Sequence, residues 1–456
     1  MKKTLMLAAA SLTLAAACDR IGVASPEAES NAISADVPAD SWLADFAAAQ
    51  RLDELGGGAE DAERFAEAGA YYELALNASE NVPSSTSLVY GLSAAFDYAK
   101  AGSKADALRV LERIADKGWR QADLFEAATD FEMLRDDDRF VSAMQKMRDN
   151  EKAFYNSHRD PAEAKLIFDD VARFWAAYDL LAAEKNKAKK AAILRKHYLA
   201  PGTPGLIDYH RIKTQTMEQL VTRLEDSPGY YEGIRERTLS ASAYGDQIRD
   251  GLNRFVAMYP EASVPDVTFV IGRLNSGGTA GPTGMLIGLD VWSWAQGVPL
   301  DGVSEGFQKV VKNLSLDSLP FIVVHEHVHA LQQYSGEQTV LLAALQEGSA
   351  DFLAGLALPE NEKPHYYNWG LEREEMIWRR FQDEMDTKNI GNWSGNNGSI
   401  EGGDWYADLG YFVGARICEA YYEQAADKAQ AIRDLMFVSD PKAILEASGY
   451  AARFEG

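Results

Sequence analysis

One short run, His325-Glu326-His327-Val328-His329 within the apolar stretch Phe321 to Tyr334, constrains this chain more than any other feature. It satisfies H-E-x-x-H, in which two imidazoles four residues apart on a helix share a face and bind zinc. At about 100° per residue, His329 falls roughly 40° round from His325, whereas His327 falls roughly 200° away and is expected to pack rather than ligate. Asp317 and Ser318 are placed to cap the helix, Pro320 is tolerated in a first turn, and Gly336 is expected to end it. On a strand all three histidines would share one face, and Ile322-Val323-Val324 is strand-like. The helix formers Ala330-Leu331-Gln332-Gln333 favour the helix.

Zinc of catalytic type needs a third protein ligand and an open position. Eighteen residues after His329 comes Glu347, with Asp351 four residues further, so on a second helix the two carboxylates project from one face. The arrangement resembles that of gluzincins, the class typified by thermolysin-like peptidases. The resemblance implies one Zn2+ per chain held by His325, His329 and Glu347, with Asp351 orienting His325. The plainer alternative is a helix start with surface carboxylates. Glu326 follows the first ligand, cannot reach the metal from that helical position, and is expected to take a proton from a zinc-activated water attacking a peptide carbonyl.

From about 167 to 454 the chain also resembles a family of predicted zinc-dependent proteases related to gliding-motility lipoproteins. The matching stretches are the glycine-rich hairpin from Val267 to Gly288, His325 to Gln333, Glu347 to Phe352, and the run Asp408 to Tyr422. In that frame Tyr411, and next Arg416, are nominated to stabilise the oxyanion or bind a substrate carboxylate. The alternative is a buried tyrosine and an arginine bonded to helix-end carbonyls. Val267 to Ile271 and Gly284 to Leu289 read as two short strands joined by a flexible loop. Met285 to Leu289 is the expected edge strand to which an extended peptide would add.

The amino terminus begins with Lys2 and Lys3, an apolar run and small residues, the layout of a secretory signal too short to span a bilayer. Leu14-Ala15-Ala16-Ala17-Cys18 resembles a bacterial lipobox, which implies lipidation at Cys18 and anchoring in the bacterial envelope. Residues 1–18 are therefore read as signal and 19–40 as a polar tether. Residues 41–156 read as packed amphipathic helices. Within them Ala66-Glu67-Ala68-Gly69 and Ala99-Lys100-Ala101-Gly102, 33 positions apart, resemble tetratricopeptide repeats and suggest a surface for a protein partner. The stripe Phe168, Val171, Trp175, Tyr178 is expected in the core, and Cys418 is expected buried. Residues 157–456 would form the catalytic domain.

The expected fold is mostly α with a small β-sheet, an α+β zincin-like domain preceded by a helical repeat-like one. With 45 basic against 69 acidic residues, a net charge of −24, the chain should repel nucleic acid. Two cysteines, one of them in the signal, exclude a disulfide framework. The expected function is a membrane-tethered zinc metallopeptidase acting on peptide or protein substrates. The alternative is an envelope scaffold that binds partners and whose zinc site is structural or vestigial.

Overall fold

The structure, a computed structural model, describes residues 42–455 apart from Ser85, Asn361, Glu362, residues 395–405 and Ala407. The signal, Cys18 and the tether lie outside the described residues. Two compact units are present, one holding the described residues up to Ser157 with Ala192–Arg211, the other His158–Ala191 and Ile212 onward.

The first unit is built from helices α1 (Trp42–Asp61), α2 (Phe65–Ala78), α3 (Thr86–Lys100), α4 (Lys104–Asp116) and α5 (Asp138–Ser157). Successive helices from α1 to α4 pack on one another, and α5 packs on α4. Small buried residues such as Ala68, Ala75, Ala94 and Ala95 let the helices approach, and Phe96, Phe125, Phe131 and Phe140 fill the far end. The two Ala-Gly tetrapeptides do not occupy equivalent places. Gly69 lies inside α2 against the Tyr98 ring, where a side chain would not fit, whereas Gly102 takes a left-handed φ of 72° in the turn after α3.

In the second unit β1 (Leu166–Ile167) precedes α6 (Asp169–Leu181), on which Val171 and Trp175 are buried as the stripe predicts. Phe168 stacks on Phe269 with ring centroids 4.0 Å apart. After α7 (Gly245–Met258) come β2 (Val267–Val270), β3 (Gly278–Gly281) and β4 (Gly284–Gly288) in a sheet of order β1-β2-β4-β3. β2 and β4 are buried throughout and pair in parallel, Val267 opposite Met285, while β3 runs antiparallel to β4. The expected loop between two strands thus contains a strand of its own. The expected edge strand, Met285 to Leu289, lies largely in β4 inside the sheet, and β1 and β3 form the edges. The reason is local: Pro282 and Thr283 with Gly284 at φ 131° turn the chain back at once.

Among the elements that follow are α8 (Leu319–Leu331), β5 (Gln333–Tyr334), α9 (Val340–Ala357) and α10 (Leu409–Gln424), and β6 (Phe437–Val438) pairs with β5 in parallel. α8 packs on α7, α9, β3 and β4, and α9 packs on α10. α9 is long and apolar enough to cross a membrane by length and composition, yet it is mostly buried inside this unit. The described architecture is mostly helical with a small sheet.

Candidate metal centre

α8 contains the histidine run and is apolar on nearly every side, because α7, α9 and the sheet enclose it. Its start carries Pro320 in the first turn, but neither Asp317 nor Ser318 caps it through a side chain. Asp317 sits in a preceding short turn of helix, Leu316–Ser318, whose cap is the Ser315 hydroxyl. α8 also ends at Leu331, five residues before the expected Gly336. Gln332 turns extended there, and Gln333 and Tyr334 pair with Phe437 and Val438.

The helical spacing brings His325 and His329 together, their Nε2 atoms 3.0 Å apart. Glu347, midway along α9, places Oε2 at 3.1 Å from His329 Nε2 and 3.8 Å from His325 Nε2. Ligands about 2.0–2.1 Å from a tetrahedral zinc stand roughly 3.3 Å from one another, so these separations are of the required size. His327 points away, fully buried with its ring 5.4 Å from that of Phe255. Burial pushes its imidazole down to about 4, against a smaller opposing pull from the Ser263 backbone.

The other ring nitrogens explain why the three donors converge. His325 Nδ1 donates to Asp351 Oδ1 at 2.9 Å, and His329 Nδ1 donates to Gln332 Oε1 at 2.8 Å. The Gln332 amide is oriented by donating to the Gln346 carbonyl and the Ser349 hydroxyl, which leaves its oxygen for His329. With each Nδ1 bonded outward, both Nε2 atoms face the Glu347 carboxylate, and the three become a set of acceptors once Nε2 of His325 gives up its proton. Such a set fits a divalent cation, and three protein ligands leave a fourth position for water or substrate. Burial alone would lower the His325 pKa, but its bond to Asp351 and the charges of Asp351, Glu326 and Glu347 raise it to about 9. A positive charge is what this cage accommodates.

Glu326 lies partly exposed beside the triad, and burial raises its carboxyl above the usual range. Gly278 of β3 abuts it so closely that a Cβ there would overlap the Glu326 side chain. Tyr411 of α10 joins the site. Its ring lies 6.2 Å from that of His325, nearly parallel, and its hydroxyl shares a hydrogen bond with Glu347. Arg416 is not brought there. Five residues further along α10, it is turned to another face, where it pairs with Glu374 at 2.6 Å and with Glu419. The position is a corrected expectation: those carboxylates occupy its guanidinium, so it does not serve the triad. Cys418 is buried on the same helix, as expected.

Two contributors went unnoticed in the sequence. Gln332 stands three places after His329, a spacing that alone could have suggested it. Tyr366, whose hydroxyl donates to the second oxygen of Asp351, comes from a separate helix, His365–Leu371, and no sequence signal points to it.

The family described as Gliding motility protein GldB matches residues 170–452, a span that includes every residue of this centre. No curated protein and no solved structure matches the chain.

Proposed function

Because the chain belongs to the gliding motility protein GldB family, we propose that it is a bacterial envelope lipoprotein, and that its His325, His329 and Glu347 hold zinc as part of a zincin-like peptidase site. The observation behind the second half of this reading is the convergence of those three donors beside a carboxyl group, Glu326, that is too far round the helix to be a ligand. A zinc there would polarise a carbonyl and lower the pKa of a water to about 7.

The chain's own groups divide the remaining work. Glu326, with its raised pKa, accepts the proton of the attacking water and can return it to the leaving amine. Asp351 and Gln332 fix the tautomers of His325 and His329, and Tyr366 fixes Asp351. Tyr411, whose burial beside Glu347 keeps its hydroxyl protonated, can donate to the oxygen on which charge develops. β3 runs past Glu326 as the edge of the sheet, so an extended peptide can add to it through main-chain bonds.

A second reading is favoured by the family description, which names motility and no chemistry. In it the centre only stabilises the fold, and the helices of residues 42–157 bind an envelope partner. Zinc content of the full-length chain in detergent, beside Glu347→Ala and Glu326→Gln, tests both. One zinc per chain, lost in Glu347→Ala and kept in Glu326→Gln, with peptide hydrolysis abolished in both variants, supports the peptidase. Zinc that is bound while wild type and Glu326→Gln are equally inert supports the scaffold. No zinc in any of them overturns the metal site.

A further inference from the structure

The two imidazoles of the centre are held by partners of different kinds. His325 is bonded to a carboxylate, Asp351, which can only accept, whereas His329 is bonded to Gln332, whose amide has an accepting end and a donating end of the same shape. Which end faces His329 is decided by what surrounds the amide, and the surroundings finish on backbone carbonyls, which cannot donate.

Tyr334, in β5, lies with its hydroxyl 2.9 Å from the Leu435 carbonyl and 3.3 Å from the Leu345 carbonyl. Its single hydrogen goes to one of these, so its oxygen is left to accept from the Ser349 hydroxyl at 2.9 Å. Ser349 is fully buried in α9, and its other acceptor is again a carbonyl, that of Gln346 at 3.2 Å. With its hydrogen used in either direction, Ser349 meets Gln332 as an acceptor. The Gln332 amide therefore spends its two hydrogens on Ser349 Oγ and on the Gln346 carbonyl at 2.9 Å, and its oxygen remains for His329 Nδ1. The reversed amide would set oxygen against oxygen at Gln346. Every bond in this chain thus runs one way, from His329 through Gln332, Ser349 and Tyr334 to Leu435, just before β6.

We propose that Ser349 and Tyr334 are positioning residues of the metal centre, acting through Gln332 to hold His329 Nε2 toward the ion. Neither touches His329. The inference rests on the metal half of the reading above and deepens it; it does not depend on hydrolysis. Polar partners outside the ligand set commonly fix ligand orientation in this way.

The test is a mutant cycle on the full-length chain in detergent, read as zinc affinity by competition with a chelator and as thermal unfolding of the zinc-free chain. Ser349→Ala is expected to weaken zinc binding by about tenfold, Tyr334→Phe to weaken it by a smaller factor, and Gln332→Met to weaken it at least as much as Ser349→Ala. Combined with Gln332→Met, neither of the other two should cost more than a further factor of about two, because the residue they act through is already gone. A side chain that only packs would show the same loss in both backgrounds. Should Ser349→Ala unfold the zinc-free chain, Tyr334→Phe runs the same cycle. Wild-type affinity in both single variants, or equal losses with and without Gln332, overturns the proposal while a zinc-loaded wild type leaves the metal site standing. A wild type that takes up no zinc overturns both.

Discussion

At the scale of residues, the centre is decided by which nitrogen of each imidazole carries the proton. Asp351 fixes His325 and Gln332 fixes His329, so both rings are oriented with Nε2 toward Glu347, and a binding cation has only to displace the proton from Nε2 of His325. Asp351→Asn keeps the shape and removes the charge that raises ligand basicity. It is expected to weaken zinc binding by about 10- to 100-fold without abolishing it, measured by competition with a chelator. An unchanged affinity would mean that Asp351 serves only packing. Helical spacing marked His325, Glu326 and His329 in the sequence, whereas the roles of Glu347 and Asp351 entered through the resemblance to gluzincins. Tyr411 was legible only through resemblance. Gln332 and Tyr366 were not read, since their roles depend on bonds to residues that the sequence does not mark as neighbours.

Among elements, the crossing of α9 and α10 matters most. A Cβ on Gly414 would overlap the Ala344 carbonyl, and one on Gly348 would overlap the backbone at Gly414 and Ala415. The two helices therefore touch main chain to main chain, one residue from Glu347 and three from Tyr411. Gly414→Ala must push α10 outward. It is expected to cost about 1–3 kcal/mol by forcing a close-packed contact apart, and to weaken zinc binding by shifting Glu347 relative to the α8 histidines. Thermal unfolding and zinc content check the two effects together, and a variant with wild-type values for both would remove the crossing from the account of the site. The sequence reading expected the helix carrying Glu347 and missed the contact, since glycine within a helix pattern carries no label for what approaches it. Strand order was missed for a related reason. Alternation and β-branching mark β2 and β4 as strands, but neither property states which strand lies at the edge.

For the whole molecule, the helical share and the small sheet agree with the sequence expectation, and the family match spans the unit that holds the centre. Attachment to the envelope belongs to this scale. Cys18→Ser is expected to move the protein from the membrane fraction to the soluble one while leaving zinc content unchanged, as fractionation and metal analysis would report. Retention in the membrane would point to an anchor other than lipid.

By itself the sequence determined the helix carrying His325 and His329, the second helix carrying Glu347 and Asp351, and the acidic, largely helical character of the chain. Those follow from local periodicity, spacing and charge, which a linear chain displays directly. Only the tertiary structure decided that β3 and not β4 forms an edge beside Glu326, that Arg416 serves Glu374 and Glu419, and that Tyr366 backs Asp351. Each of these is a pairing between segments far apart in the chain. Burial, close packing and the need to satisfy backbone polar groups select such pairings, and they act only once the segments have met.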